Sequence, residues 1–184
     1  MQHRTLIAYA SRAGSTAEVA ETIGEVLRER GLDVDVRSVR DVTDIAQYDA
    51  LVLGSAIWAG KPLPELLKFM AGQRDALAGV PVAYFILCEM LRDPTPAHRQ
   101  ITLGYVTPLR KLREPVSIGM FAGRRDFSTV NPLLCWFLTR LFRLAEGDWR
   151  NWEQIRAWAA ALAPQLAHTE PTPAEPIQTA IGAV

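Results

Sequence analysis

Apolar and polar positions change their period several times along this chain. "TLIAYA" (5–10) is a continuous apolar run, and "SRAGST" (11–16) is small and polar. Val19, Ile23, Val26 and Leu27 then recur at helical intervals, with Glu18, Glu21, Glu25, Arg28, Glu29 and Arg30 on the other side and Gly31 as the stop. This predicts strand, short loop, helix. "DVDVRSV" (33–39) alternates as a half-buried strand does, and "YDALVLGSAI" (48–57) holds a short apolar strand that is expected to end at Gly54. In "KPLPELLKFMAGQRDAL" Leu66, Leu67 and Met70 mark a helical face. "GVPVAYFILC" (79–88), the most apolar strand, is expected at the centre of a sheet buried on both faces. The spacing predicts a helix from Ala97 to Leu112 and a fifth strand in "EPVSIGMFAG" (114–123).

Strands separated by helices imply a parallel sheet covered on both sides, an α/β fold. The last third departs from that rhythm, because two helical patterns follow the fifth strand where one would close the fold. "NWEQIRAWAAALAPQL" (151–166) has the better covering face, with Trp152, Ile155, Trp158, Ala159 and Leu162 at helical spacing and Asn151 as a cap. "NPLLCWFLTRLFRL" (131–144) therefore reads as inserted. Residues 1–166 are expected to form one domain with an insertion at about 124–148, followed by a proline-bearing, aperiodic and mobile tail at 167–184.

Composition removes several function classes. The chain has 184 residues, about half of them apolar, with 20 basic residues against 20 acidic ones and zero formal net charge. That balance argues against a nucleic-acid binder working by bulk charge and against a strongly acidic carrier. Neither an export signal nor an apolar run of the roughly 20 residues needed to span a bilayer is visible, so a cytoplasmic location is expected, at most peripheral to a membrane. Cys88 and Cys135 are isolated and the three histidines are scattered, so no metal site is expected and no histidine is given a catalytic role.

In an open α/β sheet, ligands bind beyond the carboxyl ends of the strands. Three loops are expected there: "SRAGST" after the first strand, "GSAIWAGKP" (54–62) after the third and "CEMLRDPTP" (88–96) after the fourth. A loop feeding a helix N-terminus aims unpaired backbone N–H groups and positive helix-dipole potential at whatever sits above it, which suits a phosphate. Ser11, Ser15 and Thr16 add hydroxyls, and Ala13 and Gly14 allow close approach; the plainer reading is that Ser15 or Thr16 only caps the helix. Gly54, Ser55, Ala56 and Gly60 would leave room for a flat ligand on which Trp58 could stack, the alternative being ordinary packing of Trp58. Glu89 could move a proton or could be a solvated carboxylate.

These three loops together resemble the flavodoxin family, which binds flavin mononucleotide (FMN). More narrowly, "SRAGST", "GSAIWAGK" and "NWEQIRAWA" resemble the flavodoxin-like, quinone-dependent protoporphyrinogen oxidases, which also carry a long late insertion. The resemblance extends to about Leu166. It implies a flavodoxin-like, five-stranded parallel sheet with helices on both faces. It also makes Ser11, Arg12, Ala13, Gly14, Ser15 and Thr16 the phosphate loop. Ser55, Ala56, Ile57, Trp58, Ala59 and Gly60 would line the isoalloxazine, and Leu87, Cys88 and Glu89 would approach its other side. Ala13 stands where the family commonly has a polar residue, and no aromatic is matched in the third loop, which leaves one flavin face open. The chemistry implied is oxidation of a reduced porphyrin with a quinone as acceptor. Other readings are a flavodoxin without its own substrate, an NAD(P)H:quinone reductase, or a flavin-free partner-binding protein.

Charge placement bears on that choice. Between Leu91 and Ala145 stand Arg92, Arg99, Arg110, Lys111, Arg113, Arg124, Arg125, Arg140 and Arg143, against Asp93, Glu114 and Asp126. Such a basic region would suit a tetrapyrrole with two propionates, although a scattered solvated surface would look the same. In 132–144, Leu134, Phe137, Leu138 and Leu141 share one side and Trp136, Arg140 and Arg143 the other. That is the pattern of a helix lying in a membrane interface or packed on the core.

Overall fold

The computed structural model describes residues 3–125 and 146–167. The amphipathic stretch 132–144 and the tail beyond Ala167 lie outside the described residues.

The first pattern folds as it reads. β1 (Arg4–Ala10) leads through a four-residue loop into α1 (Ser15–Glu29), whose Val19, Ile23, Val26 and Leu27 are buried. Gly31, at φ +88°, turns the chain out of the helix. β2 (Asp33–Ser38) and β3 (Ala50–Trp58) follow, then β4 (Lys61–Pro62), α2 (Pro64–Gly72) and α3 (Arg74–Ala78). Next come β5 (Val82–Leu87), a 3₁₀ turn at Glu89–Arg92, α4 (Pro96–Tyr105), α5 (Thr107–Arg110) and β6 (Ser117–Phe121). A two-stranded ribbon, β7 (Arg124–Arg125) with β8 (Gly147–Asp148), precedes α6 (Trp152–Ala167).

The main sheet runs β2-β1-β3-β5-β6, all parallel, with β4 attached antiparallel to the end of β3. Counting only the parallel strands, this is the order 2-1-3-4-5 of flavodoxin-like folds. α1 and α6 cover one face, where Ile155, Ala159 and Leu162 pack with Val19 and Ile23. α2, α3 and α5 cover the other, where Leu66, Met70, Leu77 and Leu109 pack with Leu51, Leu53 and Tyr84. Asn151 caps α6 as its sequence suggests, its Oδ1 accepting from Gln154 N–H at 3.0 Å.

Four local expectations are corrected. β5 is buried along its whole length, yet β3 holds the central place, because a strand one position from the edge is also covered on both faces. The helix expected from Ala97 to Leu112 breaks at Val106, since Pro108 cannot continue the α4 hydrogen-bond ladder. α5 is then held over the start of β5 by the buried Tyr84 hydroxyl, which donates to Leu109 C=O (3.2 Å) and Arg113 C=O (2.5 Å). Trp152, placed by its spacing on the covering face, is instead exposed beneath the Arg150 guanidinium.

The fourth correction is that β3 does not stop at Gly54. It runs on to Trp58, and Gly54 is a mid-strand contact with the buried Phe85 ring of β5. A Cβ on Gly54 would lie 1.9 Å from Phe85 Cζ. Phe85 is wholly enclosed and has nowhere to retreat. Gly54→Ala should therefore lower stability by about 3 kcal/mol through overpacking. Denaturant unfolding should show that loss and a partial recovery when Phe85→Leu is added. An unchanged midpoint in the single variant would contradict the packing described.

Candidate functional site

The strand order reverses at β1, with β2 on one side and β3 on the other, so the crevice for a ligand lies above the carboxyl ends of β1 and β3. From β1 the chain passes Ser11, Arg12 and Ala13 to Gly14, which sits in the left-handed region at φ +82° and opens α1 with no side-chain cap. Ser11 Oγ accepts from Gly14 N–H at 3.0 Å, closing the loop on itself. The first-turn N–H groups of an uncapped helix stay available to an anion. Ser15 and Thr16 are buried, and Thr16 Oγ1 has no hydrogen-bond partner within the protein. Capping therefore does not account for either hydroxyl, and a buried orphan of this kind is costly unless something supplies a partner.

The second sequence loop is a hairpin. Ser55, Ala56, Ile57 and Trp58 belong to β3; Ala59 and Gly60 form a two-residue turn with φ +48° and +74°, and Lys61–Pro62 returns as β4. Both angles have the sign that a type I′ turn demands, and the non-glycine residue there costs about 1 kcal/mol. Ser55 is fully buried and its hydroxyl is committed, accepting from Leu63 N–H (2.9 Å) and donating to Ala56 C=O (2.8 Å). It braces the hairpin. A Cβ on Gly60 would come within 3.2 Å of Tyr105 Cε1, so α4 supports the turn from behind. Trp58, 65% exposed, projects from the hairpin, and the Arg12 guanidinium lies 5.1 Å from its ring centroid. That cation–π contact joins the first two loops.

On the third loop Leu87 and Cys88 are buried and Glu89 is exposed. Cys88 N–H donates to Phe121 C=O (2.9 Å), and its side chain packs with Leu91 and Ala122, flanked by Ile57, Met90, Tyr105, Met120 and Trp149. Arg92 lies 5.1 Å over the Trp149 ring. Among the described residues no group of three His, Cys, Asp or Glu is placed to hold a metal ion, and no helix is long and apolar enough to cross a membrane. A depression lined by Ala10, Ser11, Ser38, Val39, Arg40 and Glu65 lies at the carboxyl ends of β1 and β2.

A charge cluster at the start of α1 is illegible in the sequence. Glu18 reads there as one more solvated carboxylate. In the fold it pairs with Arg124 of β7 (3.2 Å) and with Arg150 after β8 (2.8 Å). The Arg150 side chain is almost wholly enclosed, bonds Asp148 (2.5 Å), approaches Ser15 C=O (3.5 Å) and covers Trp152 (4.4 Å). Some 132 residues separate Glu18 from Arg150, and no local pattern announces such a pair.

A family model described as "Flavodoxin domain" matches residues 6–140. The chain belongs to the flavodoxin family. FMN is accordingly its cofactor and oxidoreduction its class of chemistry. Protoporphyrinogen IX dehydrogenase (quinone) of Escherichia coli (strain K12) is 22% identical over 173 residues, spanning 87% of this chain and 94% of that protein. Probable flavodoxin 1 of Bacillus subtilis (strain 168) is 33% identical over 63 residues, 33% of this chain and 40% of that one. Among solved structures, a flavodoxin from the domain Archaea superposes with TM-score 0.56 at 18% identity, covering 90% of this chain and 99% of its own. A flavodoxin, WrbA-like protein from Agrobacterium tumefaciens gives 0.55 at 15%, covering 90% and 98%.

In this flavodoxin-family chain the ribbon cluster carries a carboxylate whose titration is coupled to its ion pair. The hydrogen bond from Arg150 holds the Asp148 carboxyl below the usual aspartate range, outweighing the opposing effect of partial burial. A depressed carboxyl stabilises the fold fully above its unfolded pKa of about 3.9, and that contribution disappears as pH falls through the lower folded value. Thermal melts should show wild type above Asp148→Asn at pH 7, with the gap closing below about pH 4. A gap that persists undiminished at pH 2 would rule out the ion pair as its cause.

Proposed function

We propose that this protein oxidises protoporphyrinogen IX, or a closely related reduced tetrapyrrole, and passes the electrons to a quinone. The observation that carries the reading is the alignment with the Escherichia coli dehydrogenase along 94% of that protein's length and 87% of this chain. The structure adds a fit to the cofactor. Thr16 Oγ1, buried and unpartnered, and the uncapped first turn of α1 suit the phosphate of FMN, with Ser11, Arg12, Ala13, Gly14 and Ser15 completing its loop. Ala56, Ile57, Trp58, Ala59 and Gly60 would border the ring system on the hairpin. Ser55 would act through the hairpin it braces, and the Leu87–Glu89 backbone would close the other side.

The flavin supplies the redox chemistry. The chain's own part is to bind, orient and leave access. Cys88 is turned into the core, so its side chain offers no nucleophile. Arg12 and Arg92 stand at the sheet edge over Trp58 and Trp149, where they can meet the propionates of a tetrapyrrole. Two described arginines of the basic stretch lie away from this edge. Arg113 reaches back to Val80 C=O below β5 (3.0 Å) and Arg110 pairs with Glu114 beside it (2.6 Å), both at the opposite end of the sheet. The segment 132–144, outside the described residues, is our assignment for contact with the membrane surface where a lipid-soluble quinone resides.

The second reading, an electron carrier without its own substrate, draws on the match to the Bacillus flavodoxin. One assay separates them. With FMN-loaded protein under exclusion of oxygen, reduced porphyrin plus menaquinone should turn over without added nicotinamide. Flavin-loaded protein that gives no rate above the uncatalysed background would favour the carrier.

Thr16→Val tests the phosphate loop itself. It removes one buried hydroxyl and keeps the shape, so FMN affinity should fall about tenfold while the flavin-free protein becomes no less stable. Fluorescence quenching and thermal melts measure the two quantities. Unchanged quenching would show that Thr16 does not reach the phosphate.

A further inference from the structure

A second layer of residues governs the phosphate loop from the base of the insertion. Glu18 stands in the first turn of α1, where an anion held above that turn would meet its carboxylate, and the nearby Asp148 adds another. Two negative charges beside a phosphate oppose its binding, to an extent that salt moderates because the Glu18 and Asp148 side chains are 45% and 40% exposed. Arg124 and Arg150 answer both. They come from the two residues that bracket the insertion's ribbon, one on β7 and one just after β8, and both pair with Glu18. Arg150 is the better fixed, with its side chain 3% exposed and its guanidinium held by Asp148 and Glu18, within 3.5 Å of Ser15 C=O and over the Trp152 ring.

We infer that Arg150, with Arg124, is a positioning residue for the FMN phosphate: it neutralises Glu18 and ties the ribbon at the base of the insertion to the first turn of α1. The inference rests on the assignment of the phosphate to the Ser11–Thr16 loop. Two arginines against two carboxylates leave these four side chains neutral, so their effect is to cancel a repulsion. Losing one arginine exposes the repulsion, and losing Glu18 instead leaves a net positive charge by the site. The two substitutions should therefore act in opposite directions on the same ligand group. A role in packing alone would make both harmful.

Riboflavin, which lacks the phosphate, provides the control. Dissociation constants of FMN and riboflavin can be measured by flavin fluorescence quenching on the full-length flavin-free chain. Arg150→Gln should weaken FMN by about tenfold and riboflavin by less than about twofold, with the difference shrinking as salt is raised. Glu18→Gln should tighten FMN a few-fold, leave riboflavin unchanged, and restore FMN binding when combined with Arg150→Gln. Arg150→Lys keeps the charge without the fork and should fall between wild type and Arg150→Gln. Equal weakening of FMN and riboflavin in Arg150→Gln, or unchanged FMN affinity in Glu18→Gln, would overturn the inference. If Arg150→Gln fails to fold, the Glu18→Gln result decides by itself. Wild-type protein that binds riboflavin and FMN equally well would instead remove the phosphate-loop assignment on which the inference stands.

Discussion

Tyr9 pairs with Gly54 and Ala10 with Ser55, and this stretch of the β1–β3 ladder fixes the level at which the first two loops leave the sheet. β1 ends there and turns into the α1 loop. β3 continues past it for three more residues and bends back only at Ala59. The hairpin therefore extends beyond the level of the Ser11–Gly14 loop, and Arg12 reaches onto Trp58. The ladder holds because β3 can lie tight between its neighbours. Gly54 gives its side-chain space to Phe85, and the rest of β3 up to Ser55 is buried. Displacing β3 by one residue would turn every one of these side chains to the wrong face.

Much of this architecture is legible in the sequence because it follows from periodicity. The apolar run, the loop and the amphipathic α1 announce a strand, a turn and a helix, and repeating that unit implies a parallel sheet. What the sequence conceals are contacts whose partner is remote. Gly54 looks like a strand terminator or a ligand clearance, and only the facing Phe85 shows it to be a packing device. Ser55 looks free, but Leu63 eight residues on takes its hydroxyl. Glu18, on the polar side of α1, looks solvated until the chain returns with Arg124 and Arg150. The Ser11–Thr16 loop is the converse case, since its hydroxyls and the helix start that follows it are local and can be read from spacing, whatever group the loop holds.

Zero net charge gives little guidance to the electrostatics, because the fold separates charges that are adjacent in sequence. α4 and α5 carry the chain from the carboxyl edge of the sheet back to its amino edge. Arg92 therefore stays near Trp149 while Arg110 and Arg113 end beside Glu114 and Val80. Among the described residues, a run that reads as one basic surface is divided between opposite ends of β5, with Arg124 drawn to Glu18 of α1. Of the described arginines at the site edge, Arg12 and Arg92 lie on aromatic rings, a contact that leaves guanidinium N–H groups able to donate to a carboxylate, whereas Arg124 and Arg150 are paired with Glu18.

The two ends of the candidate site are built on different principles. At the end we propose for the phosphate, the available donors are backbone N–H groups and buried hydroxyls on a helix set into the core, and the nearby charges are paired. This arrangement suits tight, permanent retention of a group, because little has to reorganise when it binds. At the end we propose for the ring, the walls would be an exposed tryptophan, a strained two-residue turn and a short 3₁₀ segment. The strain at Ala59 persists because Ser55, Leu63 and Tyr105 fix the hairpin from beneath and behind. Such a wall holds its shape without enclosing what lies against it. A cofactor anchored at one end and uncovered at the other can exchange electrons with molecules that arrive and leave, and that requirement is common to an enzyme acting on a reduced tetrapyrrole and to a simple carrier. The difference between the two lies at the uncovered end, in whether Arg12 and Arg92 have a carboxylate-bearing molecule to hold.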